Sequence, residues 1–173
     1  MILFTGKKTY TKGSPFLRFL LKHSLPIALA LLKIEVNKKG VEQYIAGEKM
    51  LFVCNHQQLF DPVIIYSVFP DAKISFIGKK EIQTKMKFIA LAMRRLGCLF
   101  IDRENDREAA KTIVTAIRNL KETPCSIGLF PEGYSSKTCE LLPFRNGSLK
   151  IALKTQVPIA VCVINNTQQI PKN

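Results

Sequence analysis

Hydrophobic and polar positions along this chain change period repeatedly, and each change marks an element. Pro15 to Leu32 is the longest apolar stretch and predicts a helix; Phe16, Leu17, Phe19, Leu20, Leu21, Leu25, Ile27 and Leu29 are interrupted by Arg18, Lys22, His23 and Pro26. Lys33-Ile34-Glu35-Val36-Asn37 alternates and predicts a strand, with a polar turn at Lys38-Lys39-Gly40. Met50 to Cys54 reads as a buried strand and Pro62 to Phe69 as a short helix. Lys73 to Ile77 predicts a strand ended by Gly78, and Glu81 to Leu96 a helix stopped at Gly97. Cys98 to Ile101 predicts a strand. Asp106 to Leu120 predicts an amphipathic helix that buries Ile113, Val114, Ile117 and Leu120. Cys125 to Phe130 predicts a strand closed by Pro131, Asn146 to Lys154 a helix, and Val157 to Ile164 a final strand. Strands alternating with helices predict an α/β fold, with a largely parallel central sheet flanked by helices. The chain divides into an N-terminal amphipathic helical segment, residues 1–33, and an α/β domain, residues 34–173.

In such a sheet, sites gather at the carboxyl ends of the strands. Three clusters fall there: His56 and Asp61 after Cys54, Asp102-Arg103 after Ile101, and Pro131-Glu132-Gly133 after Phe130. A histidine held in one tautomer by a carboxylate can take a proton from a hydroxyl or thiol. Residues five apart on one regular helix point about 140° away from each other, since each step turns about 100°. The pair therefore requires a bend. The strand before His56 and the Asp61-Pro62 pair, favoured at a helix N-cap and first position, supply one. Alone, such a match is more often a loop histidine beside an N-cap aspartate; the two clusters expected on the same edge give it company.

Charge then narrows the function classes. With 26 Lys and Arg against 13 Asp and Glu, the chain carries a net charge of +13, at 47% hydrophobic residues over 173 positions. That excess points to nucleic acid or to an anionic membrane surface. Nucleic acid is disfavoured: there is no zinc-finger spacing, no RNA-recognition aromatic motif and no Trp. Arg18, Lys22 and Pro26 make Pro15–Leu32 a poor membrane span. The segment fits a helix lying in the membrane interface as well as one packed on the domain's own core. Lys79, Lys80, Lys85, Lys87, Arg94 and Arg95 flank a second apolar run (Met86, Phe88, Ile89, Leu91, Met93) suited to interfacial docking. Five cysteines without a CxxC pair, and no visible secretory signal, point to a reducing, cytoplasmic location. Two histidines without clustered acids or thiols offer no metal site.

The motifs together resemble the glycerolipid acyltransferases, in particular the 1-acyl-glycerol-3-phosphate (lysophosphatidic acid) acyltransferase family. Asn55-His56-x4-Asp61, Phe100-Ile101-Asp102-Arg103, Phe130-Pro131-Glu132-Gly133 and Val157-Pro158-Ile159 are similar to its four blocks, in order. Lys79-Lys80-Glu81 and Leu141 to Gly147 resemble segments between them. The resemblance implies that His56 is the general base and Asp61 its orienting partner. An acyl group would pass from coenzyme A or acyl carrier protein to the free hydroxyl of lysophosphatidic acid, with no cofactor, giving phosphatidic acid for phospholipid biosynthesis. It implies Arg103 on the acceptor's phosphate, Lys80 adding charge there, and Glu132 and Gly133 near the acceptor. It implies an enzyme on the cytoplasmic face of the cell membrane, peripheral or monotopic. In many members the third block continues Thr-Arg-Ser; here it reads Tyr134-Ser135-Ser136-Lys137, and Lys137 is the candidate replacement. The family commonly continues beyond the point where this chain stops, so a C-terminally short domain is expected. Alternative readings are a glycerol-3-phosphate or other lysophospholipid acceptor, or a basic membrane-binding protein with a degenerate site.

Overall fold

The computed structural model describes residues 11–145 and 147–170. Five strands form its centre: β1 (Leu51–Cys54), β2 (Ser75–Lys79), β3 (Leu99–Ile101), β4 (Ile127–Leu129) and β5 (Ile159–Cys162). All neighbours pair in parallel, in the order β3-β2-β4-β1-β5. The helices are α1 (Pro15–Leu31), α2 (Asp61–Val68), α3 (Ile82–Lys85), α4 (Lys87–Arg95), α5 (Asp106–Glu122) and α6 (Lys150–Thr155). This is the expected α/β architecture.

Side chains alternate across a strand, so β1 and β2 feed two cores, while the edge strand β5 turns Ala160 and Cys162 to one of them and leaves Ile159 and Val161 exposed. Phe52, Cys54, Ile74 and Phe76 enter one core with Ile65 of α2 and Leu96. Leu51, Val53, Ile77, Ile127 and Leu129 enter the other with Ala116 and Leu120 of α5 and Ile151 of α6. β1 is buried along its whole length because it is covered on both faces. Cys54, Cys98 and Cys125 lie in this interior as small hydrophobes.

Ser14 caps α1 by accepting from the Leu17 N–H, with Pro15 at the first position. Its basic residues turn toward the domain. Arg18 donates to the carbonyls of Ile74 (3.0 Å) and Leu96 (2.8 Å) and to Ser75 Oγ (3.2 Å), and Lys22 pairs with Asp71 at 2.7 Å. Leu17, Leu21 and Leu29 pack on the core beside them. Phe16, Phe19, Leu20, Ile27 and Leu31, spaced by three, four or seven, leave an apolar stripe in solvent. No helix among the described residues is long and apolar enough to cross a membrane.

Several expected boundaries move. Lys33–Asn37 forms no strand: Ile34 and Val36 are half-buried between exposed neighbours, so the alternation is real, but the backbone joins no ladder. β2 runs through Gly78, where a Cβ would lie 2.5 Å from Met93 Cε; the glycine admits α4 and does not end the strand. The helix expected over 81–96 breaks at Met86 (φ −134°, ψ 63°) into α3 and α4. Val114 is 64% exposed; α5 buries Ala116 and Leu120 and half-buries Ile113 and Ile117, and Val114 falls off that stripe. The last helix starts at Lys150, since Gly147 at φ +97° cannot continue a helix, and the expected start at Asn146 lies outside the described residues.

Candidate active site

A parallel sheet puts all its carboxyl ends on one edge, and the loops after β1, β3 and β4 meet there. Asn55 ends β1 by pairing with the backbone of Ile164: its Nδ2 donates to the carbonyl (2.8 Å) and its Oδ1 accepts from the N–H (2.7 Å). The chain then bends, and His56 leaves the strand while α2 starts five residues on. Asp61 is the first helical residue of α2 and not its N-cap, a place taken by Phe60 without any side-chain bond. Its carboxylate turns back over the bend. Oδ2 accepts from Gln57 N (2.6 Å), Gln58 N (2.9 Å) and His56 Nδ1 (2.7 Å), and Oδ1 from Thr167 Oγ1 (2.5 Å). Four donors offset the cost of burying a group that is 0% exposed.

This network fixes the histidine. Nδ1 donates to an acceptor-only carboxylate, so Nε2 carries the lone pair and has no partner among the described residues. The ring stacks on Phe130 (4.2 Å, 24°), and Phe130 on Phe76 (5.6 Å, 8°). Gly128 makes that stack possible, because a Cβ there would lie 2.5 Å from the Phe76 ring. The imidazole is thus held in its plane by an aromatic column rising from the core, and in its tautomer by Asp61. Its side chain remains 20% exposed. A base with a free lone pair at a solvent-accessible strand edge can remove a proton from a substrate hydroxyl.

Glu132, expected near the acceptor, lies against the histidine loop. It is 3% exposed; Oε1 accepts from His56 N (2.7 Å) and Oε2 from Leu142 N (2.8 Å). Both oxygens are committed to backbone donors, so the carboxylate ties the histidine loop to the 140s segment. Gly133 has φ +78°, and a Cβ there would lie 2.8 Å from Arg145 Nε. The loop beyond it lies across the bend: Ser136 N donates to the His56 carbonyl (2.8 Å) and Lys137 N to that of Gln57 (3.1 Å). The Lys137 side chain is exposed.

The basic residues follow two patterns. Lys80 pairs with Asp102 at 2.8 Å, and this bond raises the lysine's pKa and lowers the aspartate's. Arg103 has no carboxylate within ion-pair distance among the described residues; its Cζ lies 5.3 Å from the Tyr134 ring centroid. Burial, and then the nearby Arg145 charge, pull its pKa down from the ordinary arginine value. Arg145 stacks on the same ring at 5.0 Å and donates to Tyr134 Oη at 3.0 Å. Phe130, Tyr134, Arg145 and the two glutamines lie in or beside the motifs without a site role expected of them, and Thr167 lies outside the motifs. The apolar-cation run Phe144-Arg145 was a visible signal for Arg145; Thr167 lies in a polar stretch without a motif and gave none.

A family described as Acyltransferase matches residues 35–165. Over 142 residues the chain is 30% identical to the 1-acyl-sn-glycerol-3-phosphate acyltransferase of Saccharomyces cerevisiae, covering 81% of this chain and 46% of that protein. It is 32% identical over 144 residues to the enzyme of the same description from Salmonella typhimurium, covering 82% and 57%. The crystal structure of the 1-acyl-sn-glycerophosphate (LPA) acyltransferase from Thermotoga maritima matches with a TM-score of 0.69 at 29% identity, covering 82% of this chain and 55% of that one. The chain spans about half the length of the curated relatives it matches.

Proposed function

Because the chain belongs to the acyltransferase family, we propose that it moves a fatty acyl group from a thioester to the free hydroxyl of 1-acyl-glycerol-3-phosphate, giving phosphatidic acid for phospholipid synthesis. The donor is acyl-CoA or acyl carrier protein. The observation that carries this reading is the 2.7 Å bond between His56 Nδ1 and an Asp61 carboxylate already held by two backbone amides and the Thr167 hydroxyl. In the proposed step Nε2 takes the acceptor's proton as its oxygen attacks the thioester carbon. The carbonyl electrons move onto oxygen, then return as the thiolate leaves, and the imidazolium hands its proton to that sulfur. The thioester is already activated, so the transfer calls on no cofactor and no covalent enzyme intermediate.

The reading places the enzyme on an anionic membrane surface, at its cytoplasmic face. The α1 stripe of Phe16, Phe19, Leu20 and Ile27 supports this, as does Phe88, 85% exposed between Lys87 and the rest of α4. Apolar groups in solvent beside lysines fit a helix lying in the lipid interface.

The test is to incubate the purified protein with lysophosphatidic acid and labelled acyl-CoA, and in parallel with labelled acyl carrier protein. Labelled phosphatidic acid is expected from at least one donor. Absence of acyl transfer to any glycerophosphate or lysophospholipid acceptor would reject the reading in favour of a membrane-binding protein with a degenerate site.

A further inference from the structure

We propose that Arg145, together with Arg103, grips the acceptor's phosphate, and that Tyr134 is the platform that holds the two guanidiniums for it. The inference deepens the acyltransferase reading and rests on it for the identity of the ligand. Many members of the family carry an arginine two residues after the glycine of the third block, where this chain has Ser135. The structure fills that gap from ten residues further along the chain from Ser135, and not with Lys137.

The geometry has three parts. First, Tyr134 gathers cations: Arg145 Cζ at 5.0 Å, Arg103 Cζ at 5.3 Å and Lys79 Nζ at 5.8 Å from one ring centroid. Lys79 is partly answered by Glu81 at 3.7 Å. The two arginines have no carboxylate within 4.0 Å among the described residues. Two like charges gathered without a counter-charge repel, and aromatic stacking alone recovers only part of that. Such a pair is complementary to a dianion.

Second, Arg145 is seated by its backbone and its side chain. Its N–H donates to the Pro131 carbonyl at 2.9 Å, and its side chain passes over Gly133, where a Cβ would lie 2.8 Å from Nε. Its Nη2 donates to Tyr134 Oη at 3.0 Å, so the phenol oxygen accepts from the arginine and its own O–H is free to donate.

Third, the platform lies beside the base. Two residues before Tyr134, Glu132 accepts from His56 N; two residues after it, Ser136 N donates to the His56 carbonyl. The ring is therefore carried on a loop pinned at both ends to His56. A phosphate held there would present the adjoining glycerol hydroxyl to Nε2. A phosphomonoester carries about −1.5 to −2 charge at neutral pH and offers three oxygens to two planar forks, whereas a phosphodiester headgroup carries one charge and a blocking substituent. The clamp therefore selects phosphomonoester acceptors.

The experiment measures binding without an acyl donor, by titration calorimetry with short-chain lysophosphatidic acid below its micelle concentration. Arg145→Ala should weaken binding about ten- to a hundredfold, the loss of a charge-assisted contact. Arg118→Ala, the same charge change on an exposed face of α5, should leave binding within about twofold. The triple variant Tyr134→Thr/Ser135→Arg/Arg145→Ala should regain most of the affinity, because it returns the fork to the family's position. In acyl-transfer assays Arg145→Ala should raise KM for the acceptor and spare KM for the donor. Unchanged binding by Arg145→Ala, a loss by Lys137→Ala in its place, or no recovery in the triple variant would each overturn the proposal. A wild type that binds this ligand yet transfers no acyl group to any acceptor would keep the clamp and remove the acyltransferase reading.

Discussion

The two halves of the site are built to opposite rules. Around His56 every strong group has its partner: Asp61 accepts four hydrogen bonds and Glu132 two, and both are buried. Around Tyr134 the cations outnumber their counter-charges; Tyr134 and Arg145 are exposed, Arg103 and Lys79 half-buried. The first half is complete before substrate arrives and gains nothing by relaxing. The second leaves its arginines to solvent, which the proposed phosphate would replace. In the proposed mechanism, orientation belongs to the saturated half and recognition to the unsaturated one.

That contrast can be broken from either side, and the effects should fall in order. Asp61→Asn keeps the shape but presents an amide where four donors need an acceptor, and it favours the wrong tautomer of His56. Activity should drop by about 100- to 10,000-fold, with a stability loss of about 2–4 kcal/mol from the disrupted buried network. Steady-state kinetics and urea unfolding would check both. A fall in KM alone would contradict the orienting role. Glu132→Gln removes one of two acceptor oxygens under His56 N and Leu142 N. It should cost about 1–3 kcal/mol and lower kcat more than it raises acceptor KM, because Glu132 acts by placing the loop. An effect confined to acceptor KM would return Glu132 to the acceptor's side.

Gly128→Ala attacks the column behind the imidazole. A methyl 2.5 Å from Phe76 should shift the Phe76–Phe130–His56 stack and destabilise by about 1–3 kcal/mol, read as a lower unfolding midpoint. The smallest effect belongs to Lys80–Asp102, a fully compensated pair on the exposed rim. Asp102's lowered pKa makes its contribution present above the ordinary aspartate value and lost as pH falls through the lowered one. Lys80's raised pKa makes its contribution full below the ordinary lysine value and lost as pH rises past the raised one. Asp102→Asn should therefore change the melting temperature by a small, nearly constant amount between about pH 5 and 9. A difference that grew within this window would place a different titrating group there.

The same contrast separates what was legible in the sequence from what was not. His56, Asp61 and Arg103 could be found because each is fixed by its distance from a strand end, and strand ends show in the hydrophobic pattern. Lys33–Asn37 misled because alternating burial does not require a partner strand. Glu132 was visible at its strand end but its hold on the His56 loop was not, since which donors reach a buried carboxylate depends on loops that carry no periodic signal. Arg145 comes from between the blocks and Thr167 from beyond them, by folds of the chain that only packing decides. The apolar face of α1 was visible, but the inward turn of Arg18 and Lys22 was not, because a basic residue reads the same whether it meets lipid headgroups or backbone carbonyls.

The central claim is that the saturated half is a working base for acyl transfer, and turnover of His56→Ala tests it most directly. Purified wild type and variant, matched for melting temperature, would be given lysophosphatidic acid and labelled acyl donor, and phosphatidic acid formation followed over time. A loss of at least about 100-fold in kcat, with acceptor binding kept, is the expected result; equal turnover by the two proteins would contradict the account.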